Sequence, residues 1–413
     1  MKKQHNDSDF QSMPVEQQAR KNNLSMFMIM MGFTFFSASM WVGQNLANGL
    51  NFNDFLIAIL LGGIILGAYT GALGYVGAMS GLSLDLLAVK IFGKRGSYLP
   101  SAMITFTQIG WFGVGLAMFA IPIAKVAFGD SQTATYLMVA LAGVCMTATA
   151  YFGIKSLTMI SYVAVPCVAI LGTVAMIMAI MQGDKGLIEQ FETGEKTLGI
   201  VSGIGLVIGS FVSGGTATPN FSRFSKSGKS GLWITVAAFF LGNSLMFLFG
   251  AVSSAYVGGN DIFDVMINLN LFYLAVIVLG LNIWTTNDNA LYSSGLGLAN
   301  IFGAKKKHMV LIGGVIGTVA AVWLYNNFCN YLNILNCTLP PVGIILIIGY
   351  FHNKKDFDNQ TGTKDFDINL GAVVGVIAGA VVANLVDFGI ASINGMIVAA
   401  LCYLIGNALT KKQ

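Results

Sequence analysis

Apolar residues in this chain come in runs of about twenty, separated by short polar clusters, from residue 25 almost to the end. A helix rises about 1.5 Å per residue, so each run is long enough to cross a hydrocarbon core roughly 30 Å thick. The runs predict twelve spans, at 25–49, 55–80, 98–124, 133–152, 156–182, 198–218, 231–257, 271–299, 309–326, 328–350, 369–386 and 389–408. Asn326, Asn327 and Asn330 separate the ninth from the tenth. Pro340 and Pro341 fall inside the tenth and should break or bend it, because proline lacks the amide donor and clashes with the preceding turn.

Composition removes the soluble alternative. The chain is 413 residues long, 55% hydrophobic and only 10% charged, whereas soluble domains carry about 25% charged residues. No water-facing surface of this size can be built from so few charges. The fold class is therefore an all-α polytopic membrane protein. Residues 1–24 are polar and mixed in charge, and the first apolar run is too long for a signal peptide's core. That segment reads as a mobile cytoplasmic arm.

Charge sets the orientation. With the N-terminus inside, the alternating inner segments hold 19 of the 22 basic residues, and the outer ones hold only Lys125, Lys185 and Lys196. Cytoplasmic loops concentrate Lys and Arg, so both termini are expected in the cytoplasm. The net charge of +4 thus follows topology and is no sign of nucleic-acid binding. The outer stretch 183–197 is acidic, and Asp261 and Asp264 mark 260–270; these read as solvated faces or interfacial helices. Five cysteines fit neither a metal site nor a disulfide framework. His5, His308 and His352 all lie in hydrophilic stretches, which argues against a histidine-based enzyme within the membrane.

Five spans occupy residues 25–182 and five more occupy 198–351, leaving 369–408 as two additional helices. An odd number of spans per repeat inverts the second copy, an organisation common among secondary transporters. The first helix of each copy is irregular. One contains Phe35-Phe36-Ser37-Ala38-Ser39-Met40, and the other contains Gly209-Ser210-Phe211-Val212-Ser213-Gly214-Gly215-Thr216 before Pro219. Unwinding is expected in both, since freed backbone groups in mid-membrane are tolerable where an ion or substrate replaces their partners. Close helix packing is the plainer account of small residues.

Polar residues are placed selectively. Asn282, Thr285, Thr286 and Asn289 share one face of the eighth span at i, i+3, i+4 and i+7, with Asn287 pointing elsewhere. Neutral oxygens in a row suit Na⁺; they would equally form an interhelical hydrogen-bond ladder. In the third span, Gln108 and Trp111 stand three residues apart, an amide beside an indole plane. That pairing suits a flat heterocycle, with Phe211 as a second ring, although a lone Trp more often packs or anchors. Asp288 is the sole carboxylate well inside a span. Intramembrane acids invite a proton role, but Asp288 lies off the oxygen stripe, where a structural or gating role fits at least as well.

Four stretches carry a resemblance: Gly32–Trp41 (GFTFFSASMW), Gln108–Pro122 (QIGWFGVGLAMFAIP), Phe240–Gly250 (FLGNSLMFLFG) and Gly280–Gly297 (GLNIWTTNDNALYSSGLG). They are similar to the nucleobase–cation–symport-1 family. The likeness extends from about residue 14 to the end, weakening in the acidic outer loop and the last two spans. It implies a five-plus-five inverted repeat of the leucine-transporter type with two extra helices, working by alternating access. It implies cytosine as substrate, stacked between Trp111 and Phe211. Gln108, Ser213 and Asn287 would bond its edge, helped by backbone around Ser210 and Gly214. It implies Na⁺ as coupling ion, held by carbonyls of Phe36, Ser39 and Asn282 and by the hydroxyls of Thr285 and Thr286. Gly214 stands where the family pattern calls for alanine, which loosens the backbone beside the base.

The expectation is a secondary transporter importing cytosine with Na⁺ across the bacterial cytoplasmic membrane. Its partners are then the small molecule and the bilayer, with no nucleic acid and no obligate protein partner evident. Another nucleobase or related heterocycle, or proton coupling through Asp288, keeps the fold and changes the cargo or ion. A membrane enzyme lacks converging catalytic groups, and a transporter-like sensor lacks an appended soluble domain.

Overall fold

The computed structural model describes residues 13–129, 131–152, 154–193, 195–259, 262–354, 357 and 367–410. Outside them lie Lys2, Lys3, His5, Asp261, Lys355, Lys364, Lys411 and Lys412, and the side chains of Lys155 and Cys329 are likewise not described.

Helix covers every predicted apolar stretch. The first is split into α1 (Asn23–Thr34) and α2 (Ser37–Gly49). Then come α3 (Phe52–Ser80), a linking helix α4 (Leu84–Phe92), α5 (Tyr98–Phe128), α6 (Gln132–Tyr151) and α7 (Ile154–Gln182). After the short α8 (Leu187–Phe191) follow α9 (Ile200–Thr216), one turn α10 (Pro219–Ser222), α11 (Gly228–Ala237) and α12 (Asn243–Val257). The remainder is α13 (Ile262–Asn268), α14 (Phe272–Phe302), α15 (Lys306–Asn326), α16 (Phe328–Thr338), α17 (Pro340–His352), α18 (Leu370–Leu385) and α19 (Ala391–Thr410). Among the described residues, eight helices are long and apolar enough to cross a membrane, nine when α1 and α2 count as one bent span. Two more apolar helices, α9 and α18, are shorter. The long α14 is not among the eight; Asn, Thr, Asp and Ser occupy much of its middle.

Burial is inverted relative to a soluble protein. Leu141, Val144, Val319 and Leu385 are exposed, while Asn282, Thr285, Asn287, Asp288 and Asn289 are fully buried. An apolar exterior suits lipid, and polar groups turned inward find partners there. The short helices α8 and α13 fall in the two acidic stretches.

The breaks differ from one another. Between α1 and α2 the chain bends by 50°, with Phe35 and Phe36 non-helical, where the sequence places an interruption. The tenth span is interrupted at Leu339, immediately before Pro340 and Pro341. The sixth span is a correction: α9 stays helical through Gly209–Thr216, and the irregular turn comes after it, at Ala217–Thr218. Its glycines are used for packing. A Cβ on Gly214 would meet Phe33 at 2.7 Å, and one on Gly215 would meet Thr70 at 2.5 Å.

The N-terminal segment is a second correction. The part of it that the structure describes is a docked strap, not a free arm. The Val15 N–H donates to Gly81 O at 2.9 Å and the Lys21 N–H to Phe224 O at 2.8 Å. Arg20 Nη1 donates to Ala78 O and Ser225 O at 2.8 and 3.0 Å, and partial burial lowers its pKa.

Candidate functional site

The break in the first span is built jointly with α14. A helix start leaves backbone N–H groups without partners, and Phe36, at the cap position of α2, has no side chain to supply one. Asn282 of α14 does so: its Oδ1 accepts from the Ser37 N–H at 3.0 Å. One turn on, the Thr285 hydroxyl lies 3.1 Å from Gly32 O and 2.7 Å from Asn282 O. Thr286 Oγ1 reaches the same Gly32 carbonyl at 3.5 Å. Asn289 Nδ2 donates to Thr285 O at 2.9 Å. The oxygen stripe therefore faces the break. Beside it, the hydroxyls of Ser37 and Ser39 are buried with no hydrogen-bond partner.

A small cavity lies alongside, lined by Phe33, Phe36, Gln108, Trp111, Phe211, Gly214, Thr286 and Ala290. All of these side chains are uncharged. Its volume of about 10 Å³ is room for roughly one water, so the site is contracted in this state. Trp111 and Phe211 do not bracket open space. The ring of Phe36 touches both, edge-on, at centroid separations of 5.6 and 6.4 Å.

Gln108 is held by a chain of side chains. Its Nε2 donates to Ser213 Oγ at 2.8 Å, Ser213 donates to Thr107 Oγ1 at 2.8 Å, and Thr107 donates to Ile104 O at 3.0 Å. Gln108 Oε1 is buried without a partner. Ser213 thus borders the cavity through Gln108. Ser210 faces the other way, donating to Val207 O at 2.8 Å and accepting from Asn243 Nδ2 at 3.3 Å. Asn287 is also outside the cavity lining; its Nδ2 donates to Phe112 O at 3.3 Å. Its Oδ1, with no partner, lies where a Cβ on Gly115 would come within 2.5 Å. Asp288 turns toward α6, where its Oδ1 accepts from the Thr149 hydroxyl at 2.7 Å, and Trp284 Nε1 donates to that hydroxyl at 2.7 Å.

Aromatic rings close the cavity on one side. Trp41 stacks on Phe328 at 4.4 Å and 6°, and Trp111 meets Phe328 and Tyr331 edge-on. The Tyr331 hydroxyl donates to Thr107 O at 2.5 Å. Behind α16, Leu332, Asn333 and Asn336 line a second cavity of about 810 Å³, which α2, α9 and the residues around Asp387 also border. A short helix therefore stands between the two spaces.

Polar contacts close the lysine-rich end. Arg223, which reads as a loop residue in sequence, is fully buried. Its Nη2 donates to the Tyr292 hydroxyl at 2.9 Å. The Leu84 N–H donates to Asn220 Oδ1 at 2.9 Å, and the Ser101 hydroxyl to Asp85 Oδ1 at 2.5 Å. Burial raises the Asp85 carboxyl to about 6, against the lowering influence of Ser101 and of the Arg223 charge.

Among the participants that sequence reasoning did not single out are Gly32, Thr107, Tyr331 and Phe33. Thr107 carried a signal, a hydroxyl adjacent to Gln108 in mid-span. A carbonyl such as that of Gly32 carries none.

The family model for permeases of cytosine/purines, uracil, thiamine and allantoin matches residues 14–406. The chain belongs to this family. It is 45% identical to the cytosine permease of Escherichia coli K12 over 98% of this chain and 96% of that one. Mhp1, a nucleobase-cation-symport-1 family transporter solved closed with bromovinylhydantoin bound, superposes with a TM-score of 0.82 at 19% identity, covering 99% and 96% of the two chains. A Na⁺-coupled sialic acid symporter gives 0.70 at 13%, covering 99% of this permease and 92% of that chain. At those identities the structures establish the shared fold alone. The permease is a membrane transporter with an all-α fold of the leucine-transporter type, and its relatives are permeases rather than enzymes.

Proposed function

We propose that this permease imports cytosine together with Na⁺ by alternating access across the bacterial cytoplasmic membrane, with both termini inside and two inverted repeats at 25–182 and 198–351. The observation that carries the reading is the uncharged cavity lined by Gln108, Trp111 and Phe211, with the Gln108 Oε1 buried and unpartnered. A flat, neutral base offers a face for the rings and a donor for the amide oxygen. The 45% identity to a cytosine permease supports the cargo.

Substrate entry requires the contracted cavity to enlarge, so Phe36 must leave the space between Trp111 and Phe211. Phe36 sits at the break, one residue before the Asn282-capped Ser37, which couples the ring's position to the stripe. Na⁺ at the break would draw on the carbonyls of Phe36, Ser39 and Asn282 and the hydroxyls of Thr285 and Thr286. An ion there favours one arrangement of α1 and α2 against α14, and a ligand shifts a conformational equilibrium only by such differential affinity. Entry then proceeds past the Trp41–Phe328–Tyr331 seal, and release past the Arg223–Tyr292 contact.

The test is labelled cytosine uptake into proteoliposomes with Na⁺ or choline outside at constant pH. Uptake should fall sharply in choline, and Thr285→Ala or Thr286→Ala should abolish most of the Na⁺ stimulation. Undiminished uptake in choline would sink the sodium claim. One observation favours a second reading, proton coupling: Asp288 is a buried carboxyl whose Oδ2 has no partner. Asp288→Asn that transports with its ion dependence intact removes that version.

A further inference from the structure

We infer that Thr107, which lies outside the lining of the cavity, sets which hydrogen-bonding class of ligand the cavity accepts. The inference rests on the substrate reading above and adds a specificity-determining residue to it.

Thr107, Ser213 and Gln108 are buried and linked in series, at 2.8 and 2.8 Å, with a third bond of 3.0 Å from Thr107 to Ile104 O. Each hydroxyl has one proton to give. The series ends on a backbone carbonyl, which can only accept. When the Thr107 proton lies on Ile104 O, Thr107 Oγ1 is an acceptor, and it takes the Ser213 proton. Ser213 Oγ then has only lone pairs left to offer Gln108, so the amide must turn its NH₂ toward Ser213. Amide orientation is otherwise ambiguous by 180°, and here the series fixes it. The consequence is that Gln108 presents oxygen, buried and unpartnered, on its other side.

An oxygen in that place accepts from an amine or ring N–H of a ligand and repels a carbonyl. An amine-bearing pyrimidine is favoured over one in which an oxo group replaces the amine. The Tyr331 hydroxyl donates to the Thr107 backbone carbonyl, so closing α16 over the cavity also braces the residue that orients the amide. Ser213 is therefore a positioning residue for Gln108 in this state.

Thr107→Val keeps the volume and removes the acceptor. The Ser213 proton must then turn to Gln108, the amide reverses, and NH₂ faces the cavity. The experiment is labelled cytosine uptake in proteoliposomes under an inward Na⁺ gradient, competed by unlabelled cytosine or uracil. Wild type should discriminate strongly. In Thr107→Val the cytosine-to-uracil ratio of half-inhibition should shift toward uracil by about tenfold, the value of one hydrogen bond gained or lost, and Thr107→Ser should restore it. A merely structural role would lower uptake of both bases without moving the ratio. If Thr107→Val does not reach the membrane, Thr107→Ala removes the same acceptor, leaves Ser213 in place and is read identically. An unchanged ratio in a transporting variant overturns the inference. Absence of cytosine uptake by wild type overturns the substrate reading itself, and this inference with it.

Discussion

Asn282 of α14 caps α2: its side-chain oxygen accepts the Ser37 backbone N–H at 3.0 Å, across 245 residues of sequence. Helix caps are ordinarily local, supplied by the residue that precedes the first turn. Here the cap is borrowed from the helix carrying the oxygen stripe. The geometry of the break in the first span therefore depends on how closely α14 approaches it.

Asn282→Ala should destabilise the folded permease by about 1 kcal/mol, the usual cost of a lost cap. The more informative effect is on the ion. The Na⁺ concentration giving half-maximal uptake should rise several-fold, because the break is no longer held in register with Thr285 and Thr286. Uptake titrated against Na⁺ at fixed cytosine checks this. An unaltered Na⁺ dependence with lowered stability would mean that Asn282 only holds the helices together.

Trp111→Ala should weaken cytosine binding by about tenfold or more, since stacking of a base on an aromatic ring is worth about 1–3 kcal/mol. Trp111→Phe should retain part of it. Competition assays on purified protein separate affinity from turnover. The alanine variant also removes one side of the edge-on contacts with Phe36, Phe328 and Tyr331, so the closed seal should loosen as well.

Asp85 predicts a pH dependence of stability. Its carboxyl is raised by burial to about 6, above its value in an unfolded chain. The folded state therefore holds the proton more tightly. The resulting stabilisation is fully present below about pH 4 and is lost as pH rises through about 6. Asp85→Asn keeps an oxygen for the Ser101 hydroxyl and cannot ionise. The difference in melting temperature, variant minus wild type, should grow in the variant's favour between pH 4 and pH 7. A difference that stays flat across that range would show that Asp85 ionises without penalty.

Much of this molecule could be read from its residues, for reasons that also explain what could not. Long apolar runs admit one interpretation in a bilayer, so the helices fell where expected. The break at Phe35–Phe36 was legible because two aromatic residues followed by Ser-Ala-Ser make a poor helix in mid-membrane. The same logic misplaced the irregularity in the sixth span. Gly214 and Gly215 serve the close approach of Phe33 and Thr70, and glycine composition alone does not separate packing from unwinding. Arg223 counted as a loop cation, because its burial depends on Tyr292, 69 residues further along, as well as on the adjacent Asn220 carbonyl. Gln108 and Trp111 were legible as a pair, whereas the Ser213–Thr107 series behind them exists only once α5 and α9 are side by side.

The strap has a bearing on how the chain assembles. Arg20 is hydrogen-bonded to Ser225, 205 residues further along, and Lys21 to Phe224. Val15 and Arg20 can meet Gly81 and Ala78 once the second span is made, but the seat is incomplete until the sixth span has been inserted and its following loop has emerged. The strap can close fully only late, so its complete docking reports that the first half of the molecule and the start of the second have already come together.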